Sequence, residues 1–189
     1  MNTPAHVIFA FAAFARPGDK WRNVAAVAGG LAPDLSLYLL VGVSLYVLGF
    51  GAEQVFRDFY YSNAWQAIFA VDNSFVVWGA ALAICFWRGW GNGVILTLSA
   101  LLHLMFDFAL HHDDARRHFW PVSDWIFVSP VSYWDHAHYG DIIGPIEIAV
   151  SLLLCVVLAV RFGGRGARAG IAVLALAQLS PLIIWAAMF

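Results

Sequence analysis

Histidine and aspartate recur at helical spacing within one apolar segment, as His103, Asp107 and His111. The segment that carries them, residues 93–110, is long enough to approach the length of a membrane span. Residues four apart lie on one face of a helix, about 6 Å apart along its axis. Imidazole nitrogens and a carboxylate oxygen at this spacing suit a zinc-like ion. The pattern indicates a metal site; the alternative is a polar stripe that only binds neighbouring helices.

Helix geometry limits which of these residues can share one ion. On a straight helix His103 and His111 are about 12 Å apart, so a single ion cannot bind both. His103 and Asp107 form a feasible chelating pair. His111 or His112 would join them only if the helix ends or unwinds there, or if a second metal is present. The residues predicted to act as ligand or general base, or to orient a histidine, are His111, His112 and Asp113, with Asp114 beside them.

Two further ligand candidates lie near the N-terminus. Pro33 interrupts a long apolar run, where it removes a backbone hydrogen bond and kinks or breaks the helix. Asp34 follows it, and a carboxylate inside a membrane span is costly enough to predict a function. His6 lies in the first turn of a short apolar helix. The predicted ligands are therefore His6, Asp34, His103 and Asp107, and a kink satisfied by a neighbouring helix is the alternative for Asp34.

The composition predicts a membrane protein. Of the 189 residues 62% are hydrophobic and only 12% are charged, against about 25% charged residues in an ordinary soluble domain. No basic tract suited to nucleic acid is present. The length allows one compact bundle, so residues 1–189 are predicted to form a single membrane domain. Cys85 and Cys155 each lie in an apolar run and are interpreted as buried hydrophobic residues.

Hydropathy predicts an all-α, polytopic bundle of about five long transmembrane helices plus a short N-terminal helix. Residues 5–15 are too few to span about 30 Å of hydrocarbon, and residues 51–63 suit an interfacial loop or a short amphipathic helix. The predicted long spans are 24–50, 64–87, 93–111, 141–161 and 171–189.

Residues 112–140 form the longest polar segment, and their histidines, tryptophans and prolines suit a folded loop at the membrane surface. If the turn at residues 16–23 is cytoplasmic, seven basic residues lie inside and three outside. The positive-inside rule favours this arrangement over its reverse. It predicts an integral membrane protein, with the bacterial inner membrane as the expected location, whose loop and site face the outer side.

In this topology the ionisable and amide side chains of several spans share one level of the bundle, which predicts a hydrated cavity. Arginines at its mouth could neutralise a phosphate or another anionic group, or could instead anchor lipid headgroups. The residues predicted to bind substrate are Arg116, Arg117, Asp72, Asn73 and His118. A proton or ion pathway would also need carboxylates and histidines inside a membrane, and it remains the alternative.

The motifs resemble a known family. The N-terminal Thr-Pro-Ala-His6, the glycine-rich approach to Pro33-Asp34, His103-x-x-x-Asp107 and Trp120-Pro121-Val-Ser123 are similar to motifs of the YdjM-like membrane-bound metal-dependent hydrolases. More remotely, their order resembles that of the zinc-dependent phospholipase C group. The resemblance covers about residues 1–125. It implies an α-helical membrane hydrolase with a metal held by His6, Asp34, His103 and Asp107.

The chain departs from the YdjM-like pattern at one place. The family has a His-Arg…Thr-His-Ser block where this chain reads Asp72-Asn73-Ser74, so that Asn73 stands in place of a histidine. Taken together, the residues predict a hydrolase with a divalent metal, zinc above others, that acts on a membrane lipid or a lipid-linked phosphoester. A metal-ion or proton transporter is the second hypothesis, and a non-catalytic membrane scaffold is the third.

Overall fold

The computed structural model describes residues 1–180, and within them the chain is helical and contains no strand. Four helical stretches are long and apolar enough to cross a membrane: Lys20–Val47, Asn63–Trp87, Gly91–Leu110 and Gly140–Arg161. The predicted all-helical fold is confirmed, and the four stretches are candidate membrane spans. The fifth predicted span, 171–189, falls in part on residues 181–189, which lie outside the described residues.

The first two helices form an N-terminal hairpin. Helix α1 spans Thr3–Phe14, with Pro4 in its first turn, where a missing N–H removes no helical hydrogen bond. Its length confirms the prediction of a short helix. Helix α2 spans Lys20–Leu31, and the Asp19 side chain caps it by accepting a hydrogen bond of 3.1 Å from the Arg22 amide.

The break predicted at Pro33 is present. A 3₁₀ turn, Ala32–Asp34, separates α2 from α3 (Leu35–Gly42), which continues into a π-helical turn, Val43–Val47. Proline cannot supply the hydrogen bond that would continue α2 without interruption. The break places the Asp34 side chain at the junction of the two helical segments.

The next span is two helices, whereas hydropathy predicted one. After α4 (Ala52–Gln54) and a π-helical turn (Val55–Phe59), α5 runs over Asn63–Asp72 and α6 over Phe75–Trp87. The Ser74 hydroxyl caps α6 by accepting from the amides of Val76 and Val77, each at 3.1 Å. The polar side chains at 73–74 satisfy the backbone groups that the break exposes, and for this reason the interruption is tolerated within an apolar segment.

The second half of the chain holds the two longest uninterrupted helices. Helix α7 spans Gly91–Leu110 and α8 spans Gly140–Arg161, with Pro145 in its second turn. Between them, residues 111–139 form a folded loop whose regular structure is a short 3₁₀ turn, His136–His138. Helix α9, Arg165–Gln178, returns along α8.

Helix α2 lies between α1 and α7, and two glycines permit this close packing. A β-carbon at Gly29 would lie 2.0 Å from the backbone oxygen of Leu96 on α7. A β-carbon at Gly30 would lie 3.0 Å from Cβ of Ala10 and 3.2 Å from the backbone oxygen of His6 on α1. Small residues let helix backbones approach closely, which is a common device in membrane bundles. Gly29 and Gly30 therefore allow α1, which carries His6, and α7, which carries His103, to pack closely on either side of α2.

The outer surface of the bundle is strongly apolar. Large side chains of the spans are exposed, including Leu39, Phe86, Leu153 and Val160, the last at 80% of its surface. A protein in water rarely exposes so much contiguous apolar surface. The surface is suited to contact with lipid, in agreement with the four candidate spans.

Candidate metal centre

Three buried side chains converge between α1 and α7. One potential ligand atom from each of His6, His103 and Asp107 lies within 4.8 Å of the other two. Asp107 is central, because its Oδ1 lies 2.8 Å from His6 Nε2 and its Oδ2 lies 2.9 Å from His103 Nε2. The two imidazole rings stack with centroids 3.5 Å apart and planes inclined by 8°. Two nitrogens and a carboxylate in this arrangement could hold a metal ion.

The backbone of α2 fixes the orientation of the His103 ring. His103 Nδ1 lies 2.8 Å from the carbonyl oxygen of Gly30. A hydrogen bond to a carbonyl requires the proton on Nδ1, so in the neutral ring Nε2 carries the lone pair that could bind a metal. Metal-ligating histidines almost always have such a partner on the second nitrogen. Gly30 thus has two roles. It allows α2 to pack closely, and its carbonyl oxygen orients the His103 ring.

The buried Nε2 atoms of the two histidines face the Asp107 carboxylate. Although they lie close to Asp107, the Nε2 atoms of His6 and His103 make no hydrogen bond of acceptable geometry within residues 1–180. Burial of an unpaired polar group costs about 1–3 kcal/mol. A cation shared by the two nitrogens and the carboxylate would offset this cost. The donor set fits a divalent metal, and the contacts of both Nε2 atoms with Asp107 also fit ion pairs of protonated histidines.

His111 reaches the same carboxylate because α7 ends one residue before it. The helix stops at Leu110, and His111 has an extended backbone with φ −110° and ψ 126°. Its Nε2 lies 3.0 Å from Asp107 Oδ1, and its Nδ1 lies 2.9 Å from Asp114 Oδ2. The sequence made the participation of His111 conditional on a helix end, and the structure meets that condition. A ring held between two carboxylates is suited to accept and release a proton.

Asp34 borders the cluster without joining its closest group. Its Oδ1 lies 3.7 Å from His103 Nε2, and its Oδ2 accepts a hydrogen bond of 2.5 Å from the Thr3 hydroxyl. Tyr38 donates in turn to Thr3 at 2.8 Å. Of the four predicted ligands, three form the compact group and Asp34 lies at its edge.

The N-terminal turn of α1 is held against three helices. The α-amino nitrogen of Met1 lies 3.1 Å from Asp107 Oδ1 and 3.2 Å from His111 Nε2. The backbone and side-chain nitrogens of Asn2 donate to Glu147 Oε1 on α8, at 3.1 and 3.0 Å. Gln178 on α9 donates to the same oxygen at 3.1 Å. These contacts fix the start of the helix that carries His6.

Asp107 and His111 line a cavity of about 440 Å³, whereas His6 and His103 lie outside its lining. Its polar wall includes Asp34, Tyr38, Tyr60, Asn73, Asp107, His111, Asp114, Arg116 and Tyr133. The cavity is thus bounded by α1, the α2–α3 break, the end of α5, α7 and the loop after it. It provides room for a polar group of a ligand beside the candidate metal ligands.

Arg116 supplies a buried cationic side chain to this wall. Its guanidinium lies over the rings of Tyr60 and Phe69, 4.8 and 4.4 Å from their centroids, and donates to the Tyr60 hydroxyl at 2.5 Å. Cation–π contacts fix the guanidinium plane and leave donors on its edge for an anion. The side chain could therefore contact an anion within the cavity.

Two groups of the loop and its surroundings have perturbed acidity. Burial alone would raise the pKa of Asp114, but the neighbouring His111 and Arg116 outweigh it and hold that pKa below its ordinary value. Burial raises the pKa of Tyr60 to about 12, although the Arg116 guanidinium opposes the shift. Asp114 is therefore a carboxylate, and Tyr60 a neutral hydroxyl, at neutral pH.

The other predicted site residues surround the cavity in different ways. Asn73 is buried on its wall and donates to the carbonyls of Pro33 and Phe69, at 3.4 and 3.1 Å. His118 Nδ1 lies 2.8 Å from the Asn73 carbonyl, and Arg117 donates to the Gln66 carbonyl at 2.9 Å and to Asp124 at 3.3 Å. These contacts tie the loop to α5, and neither His118 nor Arg117 lines the cavity.

Three more predicted residues also lie outside the cavity lining. Asp72 is half-buried at the end of α5, and its carbonyl accepts from the Trp78 indole at 2.7 Å. His112 turns away from the cluster, with Nδ1 2.7 Å from the Ser129 carbonyl. Asp113 is exposed beside it. The structure brings His111, but neither of the two residues that follow it, to the candidate metal ligands.

Sequence reasoning assigned no role to Tyr60, Tyr133 or Glu147. Tyr60 and Tyr133 come from separate loops and line the cavity, and their spacing along the chain gives no signal. Glu147 lies in the predicted span 141–161, and a carboxylate in an apolar span is itself a signal of function. Its hydrogen bonds to Asn2 and Gln178 could be found only from the packing.

No family model, curated protein or solved structure matches the chain. A functional assignment therefore depends on the geometry of the candidate site.

Proposed function

We propose that the protein is a membrane-embedded, metal-dependent hydrolase that acts on a lipid or a lipid-linked phosphoester. The observation that carries the proposal is the buried group of His6, His103 and Asp107, whose Asp107 lines a cavity that Arg116 also lines. One candidate metal ligand, Asp107, and a fixed cation that could bind a phosphate therefore line the same cavity. The resemblance to YdjM-like hydrolases leads to the same proposal.

Zinc is the proposed metal, held by His6, His103 and Asp107, with Asp34 at the edge of the site. Imidazole and carboxylate ligands without thiolates suit zinc and also admit manganese or iron. A metal with an open position lowers the pKa of bound water toward 7 and polarises a phosphoryl oxygen. Asp107 contacts both histidines, so it would hold α1 and α7 in their relative positions. Its negative charge would also compensate part of the charge of the metal ion.

The remaining polar residues of the cavity have distinct proposed roles. His111, between Asp107 and Asp114, would take up the proton that an attacking water releases. Asp114 keeps the His111 ring in place and favours its protonated form. Arg116 would bind the phosphate oxygens of the substrate, and Tyr60 maintains the guanidinium in position.

A lipid substrate is proposed because the site lies within an apolar bundle. Membrane lipid is present at high local concentration around such a protein, and the exposed apolar surface of the spans allows it to approach. The cavity is proposed to face the outer side of the membrane, since this orientation leaves seven basic residues inside and three outside.

The proposal is tested by turnover in lipid vesicles. The purified chain, loaded with zinc, is incubated with vesicles that contain a phosphomonoester, a phosphodiester or a diphosphate lipid, and released phosphate or headgroup is measured. We expect zinc-dependent release from at least one class, with a loss of about a hundredfold or more in His103→Ala. Zinc-bound protein that hydrolyses none of the three classes would refute the hydrolase assignment.

Arg116→Lys is expected to weaken substrate binding because lysine cannot reproduce a planar, bidentate contact. We expect KM for the active lipid to rise by about tenfold with zinc content unchanged, which corresponds to about 1.4 kcal/mol. Arg117→Lys is the matched control, because Arg117 contacts Gln66 and Asp124 outside the cavity. Equal effects of the two substitutions would contradict the proposed role of Arg116.

A transporter is the second candidate, and Glu147 favours it. This carboxylate is buried within α8, and its Oε2 has no hydrogen-bond partner among residues 1–180. Buried carboxylates of this kind occur in proton and ion pathways. Metal-dependent ion flux in liposomes without hydrolysis, abolished by Glu147→Gln, would favour the transporter over the hydrolase.

A further inference from the structure

An apolar groove lies near the C-terminal end of α1, whereas His6 lies near the start of that helix. It forms where the turn between α1 and α2 meets the turn between α8 and α9, and its volume is about 950 Å³. This volume is in the range of pockets that hold small molecules and cofactors. No residue that lines the groove also lines the cavity beside the candidate metal centre. Its apolar wall includes Phe11, Val24, Val27, Ala28 and Phe162.

Two arginines hold the walls of the groove together. The guanidinium of Arg161, at the end of α8, donates to the carbonyls of Ala12 and Ala15 at 3.0 and 2.6 Å. Arg22 Nε, on α2, donates to the Phe14 carbonyl at 2.5 Å. The carbonyls at the end of α1 have no helical partner, and these bonds satisfy them. The groove is therefore a fixed feature of the bundle, and these two arginines have a structural role.

Four other basic residues line the groove or adjoin a residue that lines it: Arg16, Lys20, Arg165 and Arg168. All four are exposed, and none of their side chains forms a hydrogen bond or an ion pair within residues 1–180. Segments 11–28 and 161–168 contain one acidic residue, Asp19, which caps α2. The mouth of the groove therefore carries a positive charge that the neighbouring side chains do not neutralise.

The charge and the apolar wall lie in order along α2. Lys20, Val24, Val27 and Ala28 all line the groove, and their spacing places them on one face of the helix. The eight residues from the first to the last of them cover about 12 Å of helix. The groove is thus cationic at the end of the bundle and apolar toward its middle. An anionic phospholipid has the complementary arrangement, with a phosphate beside its acyl chains, and basic pockets between membrane helices bind such headgroups.

A lipid fits this charge better than a second copy of the chain does. A symmetric dimer presents the same patch from both subunits, so it would bring the unpaired basic residues of two copies together. Like charges at an interface are unfavourable. The groove also has open space at two glycines of its lining, since a β-carbon at Gly164 or Gly166 would meet no atom within 4 Å.

We propose that this groove binds an anionic phospholipid. An acyl chain lies against Val24, Val27 and Phe162, and Lys20 and Arg165 contact the phosphate. The lipid is bound there without turnover, because the groove is separate from the cavity beside the metal centre. The site does not depend on the hydrolase assignment. The topology predicted from the basic residues places this end of the bundle at the cytoplasmic leaflet, which is rich in anionic lipid.

The test is photo-crosslinking that locates the bound lipid. The full-length protein in detergent micelles is mixed with phosphatidylglycerol that carries a diazirine in one acyl chain, and labelled residues are identified by peptide mass spectrometry. We expect label in segments 20–28 and 162–167, displaced by unlabelled phosphatidylglycerol at about a tenfold lower concentration than by phosphatidylcholine with the same chains. Glycerol phosphate, which has no acyl chain, should not displace it. Label on the exposed Leu39 and Leu153 is the internal control and should be displaced equally by both lipids.

Two variants test the charge and the groove separately. Lys20→Gln should reduce the preference for phosphatidylglycerol by about fivefold. Arg88→Gln is its control, because Arg88 is also exposed but lies outside the groove, over the Trp87 ring. Gly166→Leu should reduce label in both segments by filling open space, whereas Gly170→Leu, on the same helix but outside the lining, should not.

Three results would overturn the proposal. The first is equal displacement of the groove label by the two lipids, or displacement by glycerol phosphate as strong as by phosphatidylglycerol. The second is an equal effect of each variant and its control. The third is a dimeric protein in which neither segment is labelled, since a second copy would then occupy the groove.

Discussion

Asp107→Asn is expected to abolish metal binding at the buried centre, with the largest effect of any single substitution. One oxygen of Asp107 faces His6 and His111, and the other faces His103. Asparagine would replace one oxygen by an NH₂ group, which cannot bind a metal, and would remove the charge that compensates the cation. We expect zinc affinity to fall by more than about a hundredfold, beyond the 10–100-fold cost of losing a supporting residue, with parallel loss of turnover. Zinc content after dialysis and the rate of lipid hydrolysis measure the two effects.

Asp113→Asn is the control for this prediction. Asp113 lies in the same segment of the chain but is exposed and outside the cavity lining. Its substitution should change zinc content and turnover by less than about twofold, as expected for a surface change away from the site. Full zinc occupancy in Asp107→Asn would show that the buried group is not the metal site.

Gly29→Ala is expected to have the largest effect on stability. The added methyl group would lie 2.0 Å from the Leu96 carbonyl oxygen and 2.7 Å from Ser99 Cβ. Since the nearest atom is helix backbone, α2 and α7 must move apart to accept it. Overpacking costs about 1–3 kcal/mol, and for a chain of this size we expect the Tm to fall by about 5–10 °C. Thermal unfolding of the purified protein in detergent measures the change.

The same substitution should also weaken the metal centre. Gly30, the next residue, presents the carbonyl that orients His103, so a displacement of α2 disturbs a ligand as well as the packing. Gly79→Ala is the matched control, because Gly79 lies within α6 and a β-carbon there meets no atom within 4 Å. A Tm that falls as much in Gly79→Ala as in Gly29→Ala would contradict the close-packing account.

The sequence predicted those parts of the fold that depend on local patterns. The bounds of α7, the short first helix and the break at Pro33 follow from hydropathy and from proline geometry, and the structure places all three as expected. The division of 63–87 into α5 and α6 was not predicted. Hydropathy averages over Asn73 and Ser74, whereas the structure uses their side chains to satisfy exposed backbone groups.

The site was predictable only in part, for a similar reason. His103 and Asp107 are one turn apart on one helix, so their proximity follows from helix geometry. The stack of His6 on His103 depends on how α1 and α7 pack, and the position of His111 depends on where α7 ends. Arg116 and Arg117 are adjacent in sequence, yet only the first lines the cavity. Neighbouring positions in a loop carry no periodicity from which this difference could be inferred.

The metal content of the purified protein tests the central claim most directly. The chain is purified from cells without added chelator, dialysed against metal-free buffer and analysed for zinc, manganese and iron, with Asp107→Asn prepared in parallel. We expect about one equivalent of a divalent metal in the wild type and almost none in the variant. Less than about 0.2 equivalents in the wild type, or equal metal in both proteins, would contradict the assignment of His6, His103 and Asp107 as a metal centre.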